Sequence, residues 1–518
     1  MEETSFENLF MENFPVNSNT NLTRTGSPTL DNSPEDLKRH RLLRSPYAFL
    51  LLIFIASRVA YHLLGVRFDA RGLNWFFQFL DPELLRHNLM QSLFYLHMQP
   101  PGYNLFLGIV LKLFPQAYAM AFHAIHLVFG AVIACLLFHL MRCLGIGVRL
   151  ALTATALFIV SPGVILFENF LLYEYLQVFI LLISAVLLFH FFVRRAAASA
   201  IGFLVCQFCL VMLRNHFHLV YFVAIFVLLL YFTKHNRKLV AGVGSALLVA
   251  VLALYLKNLL LFGQFVSSTW LGMGMPTIAT EQLTAQEKEH SGQLFPVSDL
   301  LVGAPLSAYR PYITMPAKTS IPVLDQELKS TGAVNFNHLG FLEVQKIFMK
   351  DGKYVLRHYP IAYLRSVTIA WFAYFLPTGD FPFFDLNMPH IRGIERFFDI
   401  VFFGQFKDAW DRKALRKMKA QGAGLSLVLH TGIFLMIGLP LLFIFGAWFL
   451  YRGVRTRTLG TPQAMLIGFM LFNIAYCTAI ANFLSSNENN RYRFPLDGFF
   501  VVLAALALNQ AWQRFIRK

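Results

Sequence analysis

Charge is what this sequence has least of: Asp, Glu, Lys and Arg make up only 14% of its 518 residues. That is too little polar surface to cover a soluble globule of this size. Acids are scarcer than bases, at 28 Asp and Glu against 44 Lys and Arg. Cysteine is rare as well. Cys135, Cys143, Cys206, Cys209 and Cys477 lie in or beside apolar runs, with no spacing that suggests a disulfide framework. Cys206-Gln-Phe-Cys209 has redox-like spacing, but inside an apolar run buried packing is the preferred reading. No metal-ligand spacing, nucleotide-binding glycine loop or nucleophile elbow occurs. Any chemistry would therefore depend on a carrier that reaches the site from a membrane or from outside it.

What the chain does have is apolar sequence, 57% of it, with aromatic residues at 15%. Runs near the ~20 residues that cross a bilayer recur from Tyr47 onward. The expected fold is all-α, a polytopic transmembrane helical bundle. Residues 1–45, rich in Asn, Ser, Thr and Pro, read as a disordered cytoplasmic tail. The Asn21-Leu-Thr23 sequon would then face the wrong compartment for glycosylation. The first run, 46–65, follows this polar stretch and reads as a retained span. The net charge of +16 suggests nucleic acid, but the cations sit mainly at span ends, where orientation rules place them, so no nucleic-acid partner is expected.

Lys38, Arg39, Arg41 and Arg44 precede the first span and put the N-terminus in the cytoplasm. Further runs lie at 117–141, 149–167, 174–193, 197–213, 217–233, 239–262, 427–451, 462–483 and 497–513. Alternation keeps Arg142, Arg194, Arg195, Arg237, Arg452, Arg455 and Arg514 inside, together with the C-terminus, provided that 103–114 lies along the membrane as a juxtamembrane helix. The chain then divides into the tail, an N-terminal catalytic module (46–262), an external loop region (263–424) and C-terminal helices (425–518). Within the loop region, 361–377 either does not cross or pairs with a short return at 391–405, which gives ten or twelve spans.

The candidate residues cluster on the external side. Asp69 stands at the mouth of the first helix, where a carboxylate can act as general base; the plainer reading pairs it with Arg67 or Arg71. Asp81-Pro82-Glu83 reads as a helix cap, followed by the apolar stripe Leu85, Leu89, Leu93 and Leu96. His97, Gln99 and Tyr103 lie on a proline-stiffened return into apolar sequence. Glu168 and Glu174 bound a short external turn, where carboxylates are costly unless paired or solvated. Arg58, two turns inside the first span, either snorkels or meets a lipid phosphate. Arg214 opens the polar turn Arg214-Asn-His-Phe-His218. Arg491 and Arg493 begin the last span, and their planar forks suit phosphate. These groups would border a single external pocket.

In their order and shared side, these segments resemble the GT-C superfamily of polyprenyl-phosphate-sugar glycosyltransferases, which includes protein O-mannosyltransferases and the lipid A aminoarabinose transferase. The likeness rests on Asp69 after the first span, His97-Met-Gln-Pro-Pro-Gly-Tyr103, Ser161-Pro162 followed by acids, and Arg491-Tyr-Arg-Phe-Pro495. It spans about 47–200 and the C-terminal eighty residues, leaving out 263–424. Many relatives carry Asp-Glu where this chain has Asp69-Ala70, so the paired carboxylate that would hold a divalent metal is missing and no cofactor is called for.

The resemblance implies an inverting transfer of sugar from a polyprenyl-phosphate donor to a lipid, glycan or protein acceptor at the periplasmic or lumenal face. Asp69 would deprotonate the acceptor hydroxyl. Arg491 and Arg493, with Arg58, would steady the departing phosphate, and His97 and Glu174 would position hydroxyls. The alternatives are a flippase for a lipid-linked sugar, or a lipid-linked glycan ligase or polymerase.

Overall fold

The computed structural model describes residues 45–290, 304–407, 430–485 and 488–516, and every regular element among them is helical. Residues 1–44, the tail with its sequon, lie outside the described residues. Seven helices are long and apolar enough to cross a membrane: Pro46–Leu63 (α1), Tyr118–Cys143 (α2), Tyr173–Arg194 (α3), Arg237–Phe262 (α4), Ile433–Arg455 (α5), Thr461–Leu484 (α6) and Asn489–Ile516 (α7). An eighth crossing arises if Val148–Val160 and Pro162–Glu168, bent by 56°, count as one. Pro162 removes a donor at that break, and Ser161 before it is extended, as the residue preceding a proline tends to be. The chain is thus an integral membrane protein. Among the described residues seven or eight helices are long and apolar enough to cross, so the ten or twelve spans read from the sequence are not confirmed; Ala197–Leu213 and Leu219–Phe232 are shorter apolar helices.

Burial separates the centre of the bundle from its rim. In α3 and α7, 61% of the apolar window is buried, against 17% in α1 and 11% in α5. Helices that are apolar all round and mostly buried form the axis, whereas α1 and α5 leave their apolar faces to lipid. One polar chain crosses this core. Gln207 Nε2 donates to Ser184 Oγ (2.9 Å), and the Tyr221 hydroxyl, with one proton to share, lies 2.8 Å from both Gln207 Oε1 and Asn473 Oδ1. Each group is satisfied by its neighbour, as buried polar groups in hydrocarbon must be.

The segments between the long helices at one end of the bundle form a cap. Asp81 caps Pro82–His87 by accepting from the Glu83 amide (3.0 Å), and Leu85, Leu89 and Leu96 are buried beneath. The helix breaks at Asn88 and resumes at Leu89–Phe94, so the stripe sits on two short helices. Gly102–Leu113 forms as a twelve-residue helix, too short to cross. From the large loop, Lys329 Nζ donates to the Phe76 carbonyl (2.8 Å) and the Ser330 amide to Asp81 Oδ2 (2.7 Å). Further on, Pro360–Tyr374 is fifteen residues long, and Met388–Phe398 continues as a single π-turn through Phe403. Asn387 ties this region to the first loop by bonding both the amide (2.9 Å) and the carbonyl (2.7 Å) of Arg67.

Candidate functional site

Two polar centres lie among helix ends at one end of the bundle, and the predicted residues divide between them or fall outside both. The first is built by the start of α3, the Arg214–His218 turn and the start of α7. Glu174, fully buried, accepts from Arg214 Nη1 at 2.9 Å. Arg491 Nε lies 3.1 Å from the same oxygen, in charge contact without hydrogen-bond alignment, and Arg491 Nη1 pairs with Glu488 at 2.9 Å. Arg214 is sandwiched between the rings of Tyr173 and Tyr492, each 4.4 Å from its guanidinium carbon. Stacking of this kind favours a guanidinium over an ammonium.

Of these groups Tyr173, Arg214 and Tyr492 line a cavity of about 70 Å³ whose wall also includes Gln78, Gln99, His216 and Trp270; Glu174 and Arg491 are not part of that wall. It has room for a few waters or a phosphoryl group. Polar atoms without a hydrogen-bond partner among the described residues include Gln78 Oε1, Arg214 Nε and both ring nitrogens of His216 in its wall, and Tyr103 Oη and Glu174 Oε2 on residues that contact the wall through Tyr173 and Arg214. Burial, with Arg214, His218 and Arg491 alongside, pushes the His216 imidazole well below its usual range, so it is neutral at physiological pH. Buried polar atoms are ordinarily paired, and a concentration of unpaired ones marks a place where a polar ligand or water belongs.

The second centre is Asp69. Its peptide pairs with strand-like geometry against residues 169–171: its amide donates to the Asn169 carbonyl (2.7 Å), and its carbonyl accepts from Leu171 (3.0 Å). Both carboxylate oxygens accept from Arg71, at 2.9 and 2.7 Å, and Arg71 also reaches Asp385 at 3.0 Å. The plainer reading, pairing with Arg71, is the one observed. Arg71 is half exposed, so the pair is open to solvent on one side. Asp69, Arg71, Trp75, Pro382, Phe383 and Asp385 line a separate cavity of about 320 Å³. The single pocket expected from the sequence is therefore two, separated by an aromatic layer in which Phe381, 5.4 Å below the Arg491 guanidinium, packs on Phe383.

Four predicted residues serve packing instead. Arg58 forms a bidentate pair with Glu168 (2.9 and 2.6 Å) and donates to the Ile159 carbonyl, so its fork is occupied within the protein and does not reach a lipid phosphate. Glu168 also accepts from Tyr175 (2.6 Å) and faces neither centre. A glycine is required here: a Cβ on Gly130 would lie 2.6 Å from the Tyr175 hydroxyl and 2.7 Å from the Phe54 ring. His97, fully buried, bonds Thr269 Oγ1 (2.8 Å) and the Asn337 carbonyl (3.0 Å), which clamps the large loop and leaves no hydroxyl for it to position. Arg493 turns away from Arg491, donating to Asp497 (3.0 Å), the Tyr374 and Leu376 carbonyls and Thr378 (2.8 Å). Residues two apart on a helix face different sides, so the two arginines cannot grip one phosphate.

Two groups went unforeseen. His216 carries the unpaired nitrogens, although its position between two apolar runs gave a hint. Asp380, Glu395 and Asp399 are all buried, with one oxygen from each within 4.8 Å of the others. Gln405 Nε2 donates to Asp380 (2.6 Å) and Arg392 to Glu395 (3.1 Å). Three carboxylates this close retain protons or take up a cation. The Glu395-to-Asp399 spacing of four on one helix was the available signal. No family model, no curated protein and no solved structure matches the chain.

Proposed function

We propose that the chain is an inverting glycosyltransferase that moves a sugar from a polyprenyl-phosphate donor to an acceptor hydroxyl at the extracytoplasmic membrane face. The observation behind this reading is the group of unpaired, buried polar atoms in and beside the wall of the Arg214 cavity. The donor phosphate enters there, beside Arg214, His216 and Tyr492. The two guanidiniums and two carboxylates balance one another, so the phosphate displaces Glu488, which is partly exposed, from Arg491. Glu174 remains beneath and keeps both arginines in place. Stacked, preorganised cations of this kind stabilise charge as it builds on a leaving phosphate.

The acceptor approaches through the Asp69 cavity, and the reaction requires the Phe381–Phe383 layer to part so that the anomeric carbon of the donor bound beside Arg214 meets the acceptor oxygen. Asp69 releases one oxygen from the solvent-facing Arg71 and takes the acceptor proton. The acceptor oxygen then bonds to the anomeric carbon as the bond from that carbon to the phosphate oxygen breaks, and polyprenyl phosphate departs. The short helices Ala197–Leu213 and Leu219–Phe232 complete the crossings in this reading, which gives ten spans with both termini cytoplasmic.

The test uses purified full-length protein and labelled polyprenyl-phosphate sugars. Loss of a general base predicts a fall of about 10²–10⁴-fold in transfer by the Asp69→Asn variant. Arg214→Gln removes a preorganised cation and predicts a loss of about 10²–10³-fold. Undiminished transfer by Asp69→Asn would overturn the assignment of the base. Movement of labelled donor across vesicles with its sugar bond intact would identify a flippase instead.

A further inference from the structure

At the opposite end of the bundle, where the helix ends carry arginine, α5 and α7 splay around a second cavity of about 640 Å³. Its apolar wall is Phe445, Trp448 and Phe449, and its polar wall includes Arg452, Gln513 and Arg514. Arg452 and Arg514 share one indole, with their guanidinium carbons 5.3 and 5.9 Å from the Trp448 ring. Two guanidiniums drawn to one ring repel each other and gain from an anion between them. Among the described residues neither guanidinium has a hydrogen bond or ion pair, and no acidic side chain lines the cavity. This differs from every arginine in the external site, each of which has a carboxylate.

We propose that this cavity binds one anionic phospholipid, its headgroup phosphate held by Arg452 and Arg514 and one acyl chain lying along Phe445 and Phe449. Planar guanidinium forks match phosphate oxygens two at a time. Around the cavity, Leu441, Ile444, Trp448, Trp512 and Phe515 are exposed. Such a surface faces acyl chains, with tryptophans at headgroup level. Two positive charges with no nearby carboxylate favour a headgroup of net negative charge over a zwitterionic one, as basic pockets between membrane helices do. The apolar wall distinguishes a lipid from a free anion, because acyl contact adds stabilisation for each buried methylene.

The test is native mass spectrometry of the delipidated full-length protein titrated with phosphatidylglycerol or phosphatidylcholine. The expected result is one retained phosphatidylglycerol bound about tenfold more tightly than phosphatidylcholine. That preference should disappear in the R452Q/R514Q double variant. The lipid-free double variant should keep the wild-type unfolding midpoint, since both side chains lie at solvent-facing helix ends. A milder R452K/R514K variant, which keeps the charge but loses the forks, is expected to fall in between. Equal affinity for the two lipids, or an unchanged preference in the R452Q/R514Q protein, overturns the proposal. Displacement of the lipid by millimolar inorganic phosphate also overturns it, by assigning the pocket to a free anion.

Discussion

His97 provides a switch-like test of how the cap is held. Both ring nitrogens are engaged, and the Asn337 carbonyl can only accept, so Nε2 carries the hydrogen and Nδ1 accepts from the Thr269 hydroxyl. Burial is the main cause that lowers its pKa from 6.5 to about 3, reinforced by Lys257 and His338 and opposed by the bond to Asn337. The ring is therefore neutral in the closed cap and titrates normally once the loop opens. Since the folded value is depressed, its contribution to stability is complete above about pH 6.5 and is lost as pH falls towards 3. At about pH 5 the open state binds nearly one more proton, which costs the closed state about 2 kcal/mol relative to about pH 8. At that pH the closed ring is almost unprotonated, so the size of the loss follows from the open-state pKa. Hydrogen exchange at the Thr269 amide, which donates to the His97 carbonyl at 2.9 Å, reads the opening directly. After correction for intrinsic exchange, the wild type should open about 30-fold more readily at the lower pH. His338 lies in the same cap and is also lowered by burial, so the informative comparison is the slope lost in His97→Asn. Equal slopes in the two proteins, or a flat wild-type profile, would refute the clamp.

Two further substitutions separate structural roles from catalytic ones. Arg493→Met removes the donors that hold the Tyr374, Leu376 and Thr378 turn and leaves Asp497 without its cation. Breaking a largely buried pair from one side predicts a loss of about 3 kcal/mol, seen as a lower unfolding midpoint. Donor affinity should stay unchanged in the protein that remains folded, and a selective loss of affinity would return Arg493 to the phosphate site. Gly130→Ala forces a methyl against Tyr175 and Phe54 beside the Arg58–Glu168 pair. Overpacking there predicts about 1–3 kcal/mol of destabilisation by thermal unfolding, and a neutral result would mean that the helices separate more easily than the packing suggests.

Much of the bundle was legible because a lipid environment imposes one dominant pattern on the sequence. The run read at 117–141 forms Tyr118–Cys143, the run at 462–483 forms Thr461–Leu484, and the proposed Asp81 cap accepts from Glu83 as capping chemistry predicts. Crossing number was less legible. The 17 residues of Ala197–Leu213 and the 15 of Pro360–Tyr374 fall near the length at which composition stops discriminating a span from a buried helix.

The site was partly legible, and the reason for the remainder lies in pairing. Sequence shows that a membrane protein must compensate each buried charge, but it does not say which partner does so. Arg58 and Glu168 are 110 positions apart, and each was read as available to a ligand; the fold joins them and removes both from the site. Glu174, Arg214 and Arg491 come from three separate segments, and they gain a joint meaning only because the ends of α3 and α7 meet at the Arg214 turn. Arg491 and Arg493 were read together because they are neighbours in sequence, yet the 100° between successive helical residues sends one to Glu174 and the other to Asp497. In so apolar a chain, a charge that the fold leaves without a partner says more about ligands than one that is conspicuous in the sequence. By that measure Arg452 and Arg514 at one end, and at the other the unpaired polar atoms of His216 in the Arg214 cavity, are better guides than the Asp69–Arg71 pair that first drew attention.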